Sequence, residues 1–170
     1  MKQLIFFAVI ITCLYSCSAP SAPADKIRTE NLALAKKFLH AVETKDAVTM
    51  DSLLADNYKG FGPSYGDSVN KEEALKGFKY NSENLYESVK YTRFQNIAVT
   101  VEEGEEAEPG NWVSNWAEIA IKYKDGRGPV HAWVNAVYKI KNGKIVLSRT
   151  FYNEADVLRQ LGYKFTPPSE

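Results

Sequence analysis

The chain has 170 residues, 21 Lys and Arg against 21 Asp and Glu, and 45% hydrophobic residues, 12% of the chain being aromatic. Its formal charge is zero, so there is no basic field to hold a nucleic-acid backbone, and nucleic acid is excluded as an expected partner. Both cysteines, Cys13 and Cys17, lie near the N-terminus, which leaves the remainder without an internal disulfide or thiol chemistry.

The first segment carries one cation, Lys2, and then an unbroken apolar run from Leu4 to Ile11. That layout is a signal peptide, with a run too short to span a bilayer as a mature helix. The following Leu14-Tyr15-Ser16-Cys17 resembles the lipobox of bacterial lipoproteins, although Tyr15 is not the small residue usually preferred there. The resemblance implies residues 1–17 as a lipoprotein signal, lipidation at Cys17, and a cell-envelope location facing the periplasm or the surface. Residues 18–26, opening Ser-Ala-Pro-Ser-Ala-Pro, then read as an extended tether. At about 3 Å per residue it would hold the domain roughly 25 Å from the membrane.

From 27 to 165 the chain has the size and apolar content of one self-sufficient domain. Leu32, Ala35, Leu39 and Val42 recur at helical spacing with Lys36 and Lys37 on the other side, predicting an amphipathic helix over 29–44. Asp46 stands where an N-cap belongs, and Val48, Met50, Leu53 and Leu54 fill a second helix ending near Asp56. Four turn-prone residues, Gly60, Gly62, Pro63 and Gly66, make the stretch from Tyr58 to Val69 an ordered loop. Asn70 with Glu73 three residues on is a capping-box start for a third helix.

The second half changes period. Segments 88–101, 111–123, 130–140 and 145–152 are rich in Val, Thr, Ile and aromatic residues and read as four strands. Asn142-Gly143 is a strong hairpin signal, and 154–161 closes the chain as a short helix. Three helices on a curved antiparallel sheet of about four strands is an α+β layout, a cone-shaped α+β barrel open at one end.

That order, with Leu53-Leu54-Ala55-Asp56, a Gly-Pro loop, Asn142-Gly143-Lys144-Ile145-Val146 and the closing Ala155-Asp156-Val157-Leu158, resembles the nuclear transport factor 2-like family and its SnoaL-like and ketosteroid-isomerase-like branches. The resemblance implies a pocket inside the cone, and in the enzymatic branches an acid or base within it. Here Gly62-Pro63 stands where those isomerases have Asp-Pro, and Phe38 where they have the tyrosine of the oxyanion hole. Neither can do that chemistry. The strand 130–140, from which polyketide-cyclase-like members project an acid, contains none, and Ser148-Arg149-Thr150 replaces a His-Trp-Asp run.

Other patterns carry no chemistry in context. Gly62-Pro63-Ser64-Tyr65-Gly66 has the spacing of a nucleophile elbow but follows a helix and loop where a strand is required. Ser68-Val69-Asn70-Lys71 overlaps a helix cap. Two histidines, His40 and His131, cannot build a three-ligand zinc site alone, and no glycine-rich loop opens a helix, so neither metal nor cofactor is expected. The remaining signal is aromatic. Tyr58, Trp116, Trp133, Asn135 and Tyr152 are the residues expected to line the pocket, an apolar wall with a few orienting polar groups.

The expected function is therefore a membrane-anchored binding protein that takes a small, mainly apolar molecule or an envelope protein, with homodimerisation through the sheet face. The alternative is a SnoaL-like isomerase, cyclase or hydrolase using Asp56 or His131 from an unfamiliar position.

Overall fold

A computed structural model describes residues 22–104 and 108–166, so Cys17 and the signal segment lie outside the described residues. Helix α1 (Ala22–Thr44) starts earlier than its apolar period, inside the stretch expected to be extended tether. Pro23 lies in its first turn, where a missing N–H breaks no intrahelical bond, and Asp25 complements the helix dipole there. The helix buries Asn31, Ala35 and Leu39 on one face, and Ala41 near its end.

Helix α2 (Ala47–Leu53) begins as expected, with Asp46 accepting from the Thr49 N–H at 2.9 Å. It stops at Leu53, not near Asp56, because the next residues enter the sheet. Strand β1 (Leu54–Phe61) and strand β2 (Ser68–Asn70) take up the two ends of the segment expected to be a loop, which holds only over 62–67 between them. Helix α3 (Lys71–Tyr80) has the full capping box: Asn70 Oδ1 accepts from the Glu73 N–H and Glu73 Oε2 from the Asn70 N–H. It runs into a π-helical turn over Asn81–Leu85.

Strands β3 (Tyr86–Val101), β4 (Gly110–Tyr123), β5 (Val130–Lys141) and β6 (Lys144–Tyr152) form the meander, and helix α4 (Glu154–Gln160) follows. Asn142 and Gly143 have φ of 53° and 69°, the paired positive values of the tight turn whose twist matches its strands. The sheet order is β2-β1-β6-β5-β4-β3, six strands where about four were expected. It is mixed, because β1 runs parallel to β6, pairing Leu54 with Ile145 and Lys59 with Leu147.

Gly62 and Gly66 do lie in the turn between β1 and β2, but Gly60 has a different origin. Gly60 lies within β1 because a side chain there would meet the Tyr58 hydroxyl at 2.5 Å, so glycine lets the phenol fold over the backbone. The core joins Ala35 of α1 to Leu54, Tyr58, Val113, Ala136, Tyr138, Ile140 and Ile145 of the sheet. Among the described residues no helix is long and apolar enough to cross a membrane.

Candidate functional site

Strand alternation decides which residues meet the helices. In β4, Val113, Asn115 and Ala117 are fully buried, while Trp112, Ser114 and Trp116, each one residue before them, point to the opposite, outer face. In β5, Val130, Val134, Ala136 and Tyr138 face in, while His131, Trp133 and Asn135 face out. Between the inner face and the helices lies a cavity of about 390 Å³, lined by Val89, Ile119, Ile121, Val130, Ala132 and Val134 together with Tyr86, Tyr123 and Tyr152. Phe78 of α3 and Val157 of α4 close its sides. A second chamber of about 160 Å³ continues it inward, sharing Val42, Tyr91, Val134 and Thr150 as the throat.

The inner chamber holds the polar groups. Tyr58 and Ser148 bring their hydroxyl oxygens within 2.6 Å of each other, one donating to the other. Phe38 packs edge-on against Tyr138, with ring centroids 5.6 Å apart. Asn115, with no exposed surface, donates through Nδ2 to Asn96 Oδ1 at 2.8 Å. Its own Oδ1 is buried and receives no hydrogen bond among the described residues.

Among the described residues that line the two chambers none is an acid or a histidine. Lys45 is the one charged group, and its Nζ donates to the backbone carbonyls of Tyr86 and Glu87 at 2.8 and 3.1 Å. The phenols stay neutral. Burial pushes Tyr86 up to about 12 and holds Tyr138 well above the ordinary phenol value. Burial also raises Tyr91, with the nearby Glu43 carboxylate adding to it, and raises Tyr58 against the opposing effect of its bond to Ser148. Among the described residues the cavity therefore offers hydroxyls, amides and the Lys45 ammonium.

These phenols give a stability prediction whose sign is fixed. Each titrates later in the folded chain than in the unfolded one, so folding holds extra protons above the ordinary value of 10.0. Stability from this source is complete below that value and falls as pH rises above it. The urea midpoint is expected to drop between about pH 8 and about pH 11, and to drop less in Tyr138→Phe. Equal pH dependence in the variant and the parent would remove Tyr138 from this account.

The structure brings only some of the expected site residues together. Tyr58 lines the inner chamber and Tyr152 the outer one. Trp116, Trp133 and Asn135 do stand side by side, Trp116 paired with Asn135 across β4 and β5, but on the outer face and away from the cavity. Trp133 is 63% exposed, with the Arg93 guanidinium over its ring, and Asn135 donates to Ser114 Oγ and the Asn115 carbonyl. Asp56 is fully exposed at the far edge of the sheet, 3.4 Å from Lys71 Nζ. His131 is on the outer face, its Nδ1 3.0 Å from Glu118 Oε1. Neither reaches the cavity.

Asn115, Ser148, Tyr91 and Thr150 are cavity residues that sequence reasoning missed. For Asn115 a signal existed, a lone amide between Val113 and Ala117 at the two-residue period of a buried strand face. Among the described residues no three His, Cys, Asp or Glu side chains converge as a metal site requires.

No family model matches the sequence, and no curated relative matches it. Solved structures do match the fold. An LEH-like epoxide hydrolase from M. tuberculosis superposes with a TM-score of 0.57 at 18% identity, covering 79% of this chain and 91% of its own. A protein of ketosteroid isomerase-like fold from Catenulispora acidiphila, in complex with trimethylamine, superposes with a TM-score of 0.59 at 14% identity, covering 79% and 97%. An NTF2-like protein from Burkholderia pseudomallei gives 0.59 at 15% identity, covering 79% and 98%. The fold is that of the nuclear transport factor 2-like proteins.

Proposed function

We propose that this chain, a nuclear transport factor 2-like fold, is a cell-envelope lipoprotein that binds a small, mainly apolar molecule inside its cone. The observation that carries the reading is the cavity itself: about 390 Å³ walled by aliphatic and aromatic side chains, within the range of small-molecule sites. Among the described residues its polar groups are hydroxyls, amides and the Lys45 ammonium, a set suited to orienting a ligand. The trimethylamine in one fold neighbour is a small molecule held by a protein of the same architecture.

The enzymatic alternative has less support. It rests on Asp56 and His131, both outside the cavity, and the hydrolase activity is that of a fold neighbour. The outer sheet face supports the proposed self-association. Ile97, Val99, Trp116, Trp133 and Phe151 are all exposed there, an apolar surface that a second copy would cover. An envelope protein is the other occupant this face could take. The anchor rests on the order Lys2, Leu4–Ile11 and Leu14-Tyr15-Ser16-Cys17.

One experiment reads all three elements. The full chain is extracted in mild detergent from its own envelope, and its native and denatured masses are compared. A denatured mass beginning at Cys17 and carrying acyl chains is expected, and any other N-terminus overturns the anchor. A native mass exceeding the protein by a releasable small molecule is expected, and a clean empty mass counts against the pocket. A native mass of two copies is expected, and a monomer counts against the sheet-face dimer.

A further inference from the structure

The unpartnered oxygen of Asn115 says more about the occupant. This inference rests on the cone being a ligand pocket and concerns what the ligand carries. Asn115 has no exposed surface, it lines the inner chamber, and its amide nitrogen is already committed to Asn96 Oδ1. Among the described residues no donor reaches Oδ1. A buried acceptor without a partner is unfavourable, and such groups are rare in folded chains. An unpartnered hydrogen-bond acceptor therefore lies in the wall of the inner chamber.

The Tyr58–Ser148 pair adds the complementary group. Two hydroxyls within 2.6 Å share one hydrogen bond, so the hydroxyl that accepts keeps its own hydrogen free to donate elsewhere. The inner chamber thus offers one acceptor and one donor, both neutral. A hydroxyl has the chemistry for both roles, one hydrogen to donate to Asn115 Oδ1 and lone pairs to accept from the pair. An ether or ketone can only accept, and would leave the Asn115 oxygen buried and unpaired. A carboxylate would set its charge beside that oxygen with no cation lining the inner chamber.

We infer that the ligand is a neutral alcohol: an apolar body filling the outer chamber, with a hydroxyl that enters past Val134 and Thr150 to meet Asn115. Discrimination of this kind is strong because the penalty for the wrong ligand is a polar group of the protein left without a partner.

The test uses three probes of nearly equal shape, 2-naphthol, 2-methoxynaphthalene and naphthalene, titrated calorimetrically into the purified chain at neutral pH. All three are expected to bind, with 2-naphthol about tenfold tighter than the methyl ether, as one net hydrogen bond at a buried acceptor implies. In Asn115→Leu that preference is expected to vanish, with naphthalene binding retained. Equal affinities of 2-naphthol and its ether for the parent chain overturn the alcohol inference and leave the pocket standing, as does a preference that survives in Asn115→Leu. Failure of all three to bind overturns the pocket reading, and this inference with it. The parent comparison stands even if the variant does not fold.

Discussion

Ile145→Ala is expected to lower stability by about 3 kcal/mol, and Tm by roughly 10 °C for a domain of this size. Ile145 is fully buried and is the second residue of β6, at the point where three strands meet: it pairs with Leu54 of β1 in parallel register and with Ile140 of β5 across the hairpin. Removing its side chain deletes transfer free energy and leaves a void between strands that cannot collapse without breaking two ladders. Leu54, also buried, lies at the turn from α2 into β1, so the loss would loosen the helical layer as well. Val48→Ala, at a largely exposed position of α2, is the control and is expected to change stability by no more than about 0.5 kcal/mol. Urea unfolding of the three proteins decides the matter. A loss below about 1 kcal/mol for Ile145→Ala would mean that β1 and β6 do not share the cooperative core.

Val134→Trp is expected to weaken binding of any apolar probe in the cone by about 100-fold or more. Val134 lines both chambers at their junction, so an indole there occupies the throat and removes on the order of 100 Å² of apolar contact from a ligand. The open space beside it allows the larger ring without the overpacking penalty of a filled core. The neighbouring change Trp133→Ala is expected to leave probe binding unaltered, because one residue along a strand reverses the face. Titration of 2-naphthol into both variants gives the comparison. Binding lost in Trp133→Ala and kept in Val134→Trp would move the site to the outer face, where Arg93, Phe94, Gln95, Ile97, Trp116 and Trp133 border a broad groove.

Much of the architecture is local, and so is legible in the sequence. The α1 stripe, the Asp46 and Asn70 caps and the Asn142-Gly143 turn each depend on residues within four positions of one another. The period of two across the last four strands rests on equally short range. Strand β1 does not. Its partner β6 lies about 90 residues away, as the Tyr58–Ser148 bond shows, and the one glycine of β1 signals a turn until the Tyr58 ring is known to cover Gly60.

The helical stripe, the caps, the hairpin and the four-strand meander were determined by the sequence itself, because each follows from neighbours along the chain. Tertiary structure alone decided that β1 and β2 complete the sheet, and which face of β4 and β5 turns inward. Both faces are apolar, Trp116 and Trp133 on one and Ala117 and Val134 on the other, so alternation identifies the strands without choosing between their sides. The helices make that choice by covering one face, which sends Trp116, Trp133 and Asn135 outward and leaves Asn115 facing the cavity.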